Sequence, residues 1–362
     1  MSVLPSDIVV YGCVDMPEAD GSTVGGAPDF TKRLDFSDVS PNGTLDVVSS
    51  STSDTATKIT YLVRDATGAI QSVTATLNGQ TPVTGSQTAE RLLAAAITGG
   101  AIAGITNPGG TTAVGDIALF AHTLIVSAHT AQAGSANHSG TTPALMKLQS
   151  GDGSTVAVGQ LIRTTGGTGP QQIRRIIAIT GYGTDVVAVN RDWGTVPDAT
   201  TTYNVAEGML FEISPNAVLA ITRMFATAAA DVPGGSTRTF YEKGFVVNNN
   251  TATALTPQSP NTGVGVEISG DSPSLPGSAL LDLGLGTAYD DSTTAANRQT
   301  APSGITFTTQ PANVFAPSPG NLASGAAPNT AGALAVWFRL TVPAGTAPYK
   351  GAATLQTTGN TT

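Results

Sequence analysis

Charge is scarce in this chain: only 11% of its residues are Asp, Glu, Lys or Arg, less than half of the ~25% usual in soluble proteins. The 16 Lys and Arg are spread thinly and outnumbered by 25 Asp and Glu, for a net charge of -9. That leaves no basic footprint for nucleic acid or for an acidic membrane surface, so neither is expected as a partner. A single cysteine, Cys13, excludes an internal disulfide and any cysteine-based zinc site. No run of about 18 apolar residues is present, so no membrane-spanning helix is expected. The start, Met1-Ser2-Val3-Leu4-Pro5-Ser6-Asp7, lacks a basic segment followed by an apolar one and is not expected to be a secretory signal. Aromatic residues are also few, at 5%, which argues against a sugar-stacking platform.

What the chain does have is apolar residues (40%), 42 Gly and 22 Pro, and abundant Thr and Ser. Disorder needs low hydrophobicity with high net charge, and this composition has neither. It fits short strands joined by many turns. Ile59, Tyr61 and Val63 alternate with polar neighbours, Asp65-Ala66-Thr67-Gly68 marks a turn, and Val73, Ala75 and Leu77 alternate again. This is a hairpin with one buried face. Residues 87–97 suit a short helix by propensity, but the flanking strands and the Gly99-Gly100 stop allow a strand, the reading preferred; residues 117–126 read as another strand. Residues 127–143 are a small-residue loop. Between 144 and 207, apolar runs recur at intervals of about ten residues, as in a small barrel or sandwich. Residues 257–303, rich in Pro, Gly, Ser and Thr, read as a surface excursion. Val336, Phe338, Leu340 and Val342 alternate against Trp337, Arg339 and Thr341, a last clear strand whose other side carries Trp337, either as an outward interface anchor or buried between the strand and a loop.

The expected fold is therefore all-β and multi-domain. An extended N-terminal arm (1–34) would lie on a partner. A β-sandwich (35–143), a small β-barrel-like module (144–207), either inserted in that sandwich or a separate bead, and a C-terminal β-sandwich (208–362) would follow, the sandwiches being Ig-like or of jelly-roll type.

Catalysis needs titratable groups gathered in one place, and the sequence advertises none. His122, His129 and His138 fit no helical metal pair, so no metal or cofactor is expected. Gly166-Gly167-Thr168-Gly169-Pro170 is followed by Gln171-Gln172 where a phosphate loop needs Lys-Ser/Thr, and reads as a β-turn. No Gly-x-Ser-x-Gly elbow occurs. No catalytic residue is assigned. Five residues are candidates for an interface: Asp20 and Val24 in the arm, the cationic pair Arg174-Arg175, and Trp337. Arg174-Arg175 suits a surface ion pair, packing of one arginine on Trp193 or Tyr203, or contact with an acidic neighbouring subunit.

Three stretches resemble recurrent segments of tailed-bacteriophage virion proteins. One runs from Asp46-Val47-Val48-Ser49-Ser50-Ser51 to Thr76-Leu77-Asn78-Gly79-Gln80-Thr81-Pro82-Val83. Another runs from Gly159-Gln160-Leu161-Ile162 through Arg174 and Asp192-Trp193 to Pro197-Asp198-Ala199-Thr200-Thr201-Thr202-Tyr203; Gln172 and Ile173 depart from the pattern. The last is Tyr241-Glu242-Lys243-Gly244-Phe245-Val246-Val247-Asn248-Asn249-Asn250 with Trp337 to Thr346. Together they touch all three units. The resemblance implies a virion structural protein with no catalytic residues, its modules being similar in head decoration proteins and in tail or fibre proteins; with the arm and the acidic balance, the expected place is the outer capsid surface, as a decoration or cement protein. Its partners would be the major capsid protein or other virion proteins. It would be a homo-oligomer, with a closed trimer as one possibility, assembled in the host cytoplasm. The rival expectations are a tail-tip or fibre protein that binds host-surface glycans and, from another class, a hydrolase built on β modules.

Overall fold

The computed structural model describes residues 3–16, 21–36, 39–134, 137–138, 144–180, 185–214, 217–225, 236–268, 280–317, 320–345 and 353–361. The fold is all-β, with four sheets and two short 3-10 turns among these residues.

The largest sheet has eleven strands. In spatial order it runs Thr308–Thr309, Leu280–Tyr289, Leu334–Val342, Arg238–Asn248, Ile8–Asp15, Val24–Asp35, Ala220–Arg223, Arg91–Ile97, Lys58–Arg64 and Ile70–Thr76, with Thr294–Ala295 paired beside Val24–Asp35. The predicted hairpin is present, with Lys58–Arg64 pairing Ile70–Thr76 in register from Lys58↔Thr76 to Arg64↔Ile70. Its turn is held by the Asp65 carboxylate, which accepts from the Thr67 and Ala69 amides at 2.9 and 3.0 Å.

The N-terminal residues are not an arm. Ile8–Asp15 and Val24–Asp35 form the middle of this sheet, joining Arg238–Asn248 on one side to Ala220–Arg223 on the other. Their sequence hides this because the pairing is irregular, with register shifts between Tyr11 and Gly12 and between Cys13 and Asp15. Gly25 takes a positive φ of 107° there, and a Cβ would lie 2.6 Å from the Thr293 carbonyl and 2.9 Å from the Trp337 ring. Gly25→Ala is therefore expected to destabilise the protein by at least about 2 kcal/mol. Gly21→Ala, where a Cβ meets nothing within 4 Å, should stay within about 0.5 kcal/mol of wild type. Urea unfolding of the two variants checks both values.

Two smaller sheets cover the large one. The four-stranded sheet Gly208–Phe211, Ile117–Ala121, Leu45–Ser49 and Val83–Thr84 makes the first sandwich, with Leu45, Val47, Leu119 and Phe211 packed in one core with Ile59, Tyr61 and Val63. The three-stranded sheet Val314–Phe315, Gly265–Ile268 and Leu355–Thr358 makes the second, with Val264 and Val266 in the same core as Phe245, Leu334, Val336 and Phe338. The stretch 257–303 is thus not a surface excursion: it supplies Gly265–Ile268, Leu280–Tyr289 and Thr294–Ala295.

The remaining sheet orders as Ala144–Lys147, Val186–Val189, Ile173–Thr180, Leu161–Gly166, Thr202–Ala206 and Val126–Thr130. It has its own core, which includes Met146, Ile162, Ile176, Val187, Trp193 and Tyr203. This module is an insertion. Phe120 pairs with Gly208, and the Ala121 amide donates to the Glu207 carbonyl at 2.8 Å, so the chain leaves and re-enters the first sandwich at neighbouring strands. The expected boundaries move accordingly. Val126–Thr130, placed in the 35–143 sandwich, belongs to the insertion, and Gly208–Phe211, placed in the C-terminal unit, belongs to the first sandwich.

Candidate functional site

In a charge-poor chain, a charge inside an apolar strand marks a place where burial has been compensated. Two such places stand out. One is the seam where the insertion meets the rest. Val48, Ala118, Phe120 and Leu210 on the first sandwich pack with Leu161, Ile173 and Ala206. Beside them Arg33, buried at 3% exposure, donates from Nη1 to Glu212 Oε2 at 2.9 Å and from Nη2 to the Leu210 carbonyl at 3.0 Å. Glu212 also accepts from the Asn190 side-chain amide, while Asn190 Oδ1 accepts from the Arg175 amide at 2.7 Å. Arg191 pairs with Asp116, and Arg174 approaches the same carboxylate at 3.9 Å. The Arg174 guanidinium lies 5.4 Å from the Trp193 ring centroid. Burial lowers the Arg174 pKa to about 10, against the opposing pull of Glu212 and Asp192. The seam thus ties the large sheet, the first sandwich and the insertion together with charge-assisted bonds.

The other place is the far face of the second sandwich. Lys243 is fully buried. Its ammonium donates to the carbonyls of Gly26 and Thr293, both at 3.0 Å, and of Asp291 at 2.5 Å, and it pairs with Asp291 Oδ1 at 3.3 Å. The rings of Phe245 and Trp337 flank it at 4.9 and 5.4 Å. Burial lowers the Lys243 pKa, and Asp291 opposes that shift. Burial also works against ionisation of Asp291, yet bonds from Thr293 and the Lys243 charge hold its carboxyl below its ordinary value. Nearby, the Cys13 thiol is buried and pushed up to about 12, mainly by desolvation, so it is not a reactive thiolate.

Glu242, the next residue along the strand, is buried at 4% exposure and accepts from the Phe225 amide at 2.8 Å. Burial raises its pKa from 4.5 to about 7, partly offset by that bond and by Arg298. A raised carboxyl pKa means that its stabilising share is complete below pH 4.5 and lost as pH climbs through about 7. Glu242→Gln is therefore expected to remove about 2.5 kcal/mol of pH-dependent loss between pH 5 and 8. Paired urea titrations of wild type and variant at the two pH values read this difference directly.

The five candidate interface residues fare differently. Asp20 lies outside the described residues. Val24 is fully buried, packed with Tyr241, Ala295 and Trp337. Trp337 is also fully buried, the second of the two readings open for it, because residues Ala295, Ile305 and Phe307 cover that face of its strand. Arg174 is buried in the seam on Trp193, one of the three arrangements expected for it. Arg175 is half-buried, and among the described residues no hydrogen bond or ion pair engages its guanidinium. The structure thus brings Val24 and Trp337 together in one small core and Arg174 and Arg175 together at the seam.

His122 pairs with Asp46 at 2.9 Å and His129 with Asp152 at 2.8 Å. Tyr203 donates to the same Asp152. Among the described residues neither imidazole is bonded to a serine, threonine or cysteine, the partner a nucleophile relay requires. Among the described residues no group of three or more His, Cys, Asp or Glu could hold a metal ion, and no helix is long and apolar enough to cross a membrane. No protein-family model, no curated protein and no solved structure matches this chain.

Proposed function

We propose that this chain is a structural protein of a tailed-phage virion, placed on the outer capsid as a decoration or cement protein. The reading rests on the three resembling stretches. The observation that supports it most is how the fold spends its charges. Arg33 with Glu212, Lys243 with Asp291, and Arg339 with Asp282 at 2.6 Å are committed inside the fold, the first joining two sheets and the last two neighbouring strands. Such clamps suit a particle component that must persist outside the cell without disulfides. A shell position would add stability from many neighbours by mass action. The acidic balance suits a surface away from packaged DNA.

With Val24, Arg174 and Trp337 consumed inside the fold, contact with a shell would use other residues, Arg175 among them. Immunogold labelling of purified phage particles tests the placement. Label distributed over the head faces is the expected result. Label confined to tails would move the protein to the tail, and particles carrying no label would overturn the virion reading.

A further inference from the structure

A groove of about 660 Å³ lies where the first strand, the insertion and the C-terminal strand meet. Its walls are mostly aliphatic and aromatic, including Phe36, Val158, Ile177 and Leu355. Val158 is 59% exposed, so this apolar wall faces solvent. The strand Leu355–Thr358 lines the groove and is an edge: among the described strands it pairs only with Gly265–Ile268. An edge strand carries unpaired backbone donors and acceptors, which a second extended chain can satisfy.

The groove also carries unanswered positive charge. Arg33 and Arg175 both line it, and Asp35 is the one carboxylate among its described lining. Arg33 spends its charge on Glu212, yet its buried Nε has no acceptor among the described residues. Asp35 has a partner of its own. The Arg175 guanidinium has none among the described residues, and its charge is close enough to work against that of Arg33. A cation without a bonded partner among the described residues, beside an apolar wall, is the complement of a carboxylate on an otherwise apolar chain.

We propose that this groove takes an extended, acidic polypeptide segment of a partner chain, which adds as a strand along Leu355–Thr358, lays apolar side chains against Val158 and Ile177, and sets a carboxylate on Arg175. A small amphipathic carboxylate would use the same arginine and the same wall. It would leave the edge strand's backbone groups unpaired, which is why the peptide is the better complement. The proposal goes beyond the virion reading and stands without it, since it depends only on the groove.

The test uses the full-length chain and a fluorescein-labelled short peptide of alternating valine and threonine with one central glutamate, followed by fluorescence polarisation. Matched peptides carry glutamine or lysine at the centre. The glutamate peptide should bind about tenfold more tightly than the glutamine peptide, and the lysine peptide least. Arg175→Gln should erase the glutamate–glutamine difference while leaving the thermal transition in place, and Val158→Asp should weaken all three peptides. Equal binding of the three, or no binding up to about 1 mM, overturns the proposal. Displacement of the peptide by decanoate as effectively as by unlabelled peptide also overturns it, and assigns the groove to a small amphipathic anion.

Discussion

A chain lacking residues 1–34 is expected not to fold. Ile8–Asp15 and Val24–Asp35 are inner strands of the large sheet, and both their neighbours, Arg238–Asn248 and Ala220–Arg223, would lose a complete ladder. The deletion also removes Tyr11 and Leu34 from the common core and Arg33 from Glu212. Each such loss costs several kcal/mol, and together they exceed the roughly 5–15 kcal/mol that separates folded from unfolded protein. The expected readout is an insoluble product, or a soluble one without a cooperative thermal transition. A truncated chain that melts cooperatively near the wild-type temperature would contradict the topology. A detachable arm and an inner strand pair thus make opposite predictions for the same deletion.

Lys243→Ala is expected to cost about 3–5 kcal/mol, the range for removing one partner of a buried ion pair. The substitution strands the Asp291 carboxylate and leaves the carbonyls of Gly26 and Thr293 without their donor. It also opens space between Phe245 and Trp337, the two rings that flank the ammonium. The added variant Asp291→Ala separates charge from packing. If the pair is coupled as its geometry implies, Lys243→Ala on the Asp291→Ala background should cost at least about 1 kcal/mol less than on wild type. A cost below about 1 kcal/mol for Lys243→Ala alone would mean that the ammonium is not an organising contact. Urea unfolding at pH 7 provides all four corners of the cycle.

How far the sequence foretold this depends on how local each signal is. The strands at 58–64, 70–76 and 91–97 were legible because alternation or an apolar run ending in Gly99-Gly100 lies within each segment. For Trp337 the same logic leaves two readings open, an outward anchor or burial between strand and loop, and the structure shows the second. Period-two alternation assigns one face inward and one outward, but a segment roughly thirty to forty residues upstream, containing Ala295, Ile305 and Phe307, folds over the other face and buries it as well. The N-terminal strands carry Gly25, Gly26 and Pro28, residues that signal turns in isolation and here mark a bulged inner ladder. The insertion was hidden because its evidence is the pairing of Phe120 with Gly208 across the whole module.

The charged clamps were harder still. Arg33 and Glu212 are separated by 179 residues, and no local pattern connects them. Lys243 left a faint mark, being a lone cation inside the apolar run from Phe240 to Val247. In a chain so poor in charge that mark is informative, because a strand this buried tolerates a cation only if acceptors surround it. Arg174 on Trp193 was among the arrangements open from the sequence, since both lie in one compact module.

The central claim is that the chain is a stoichiometric component of a virion shell. Its most direct test is co-sedimentation of the purified protein with empty, matured phage heads and, separately, with isolated tails, counting the copies bound to each. The account predicts saturable binding to heads at hundreds of copies per particle, accompanied by a rise in the temperature at which those heads rupture. A handful of copies on tails and none on heads, or no binding to either, would contradict it.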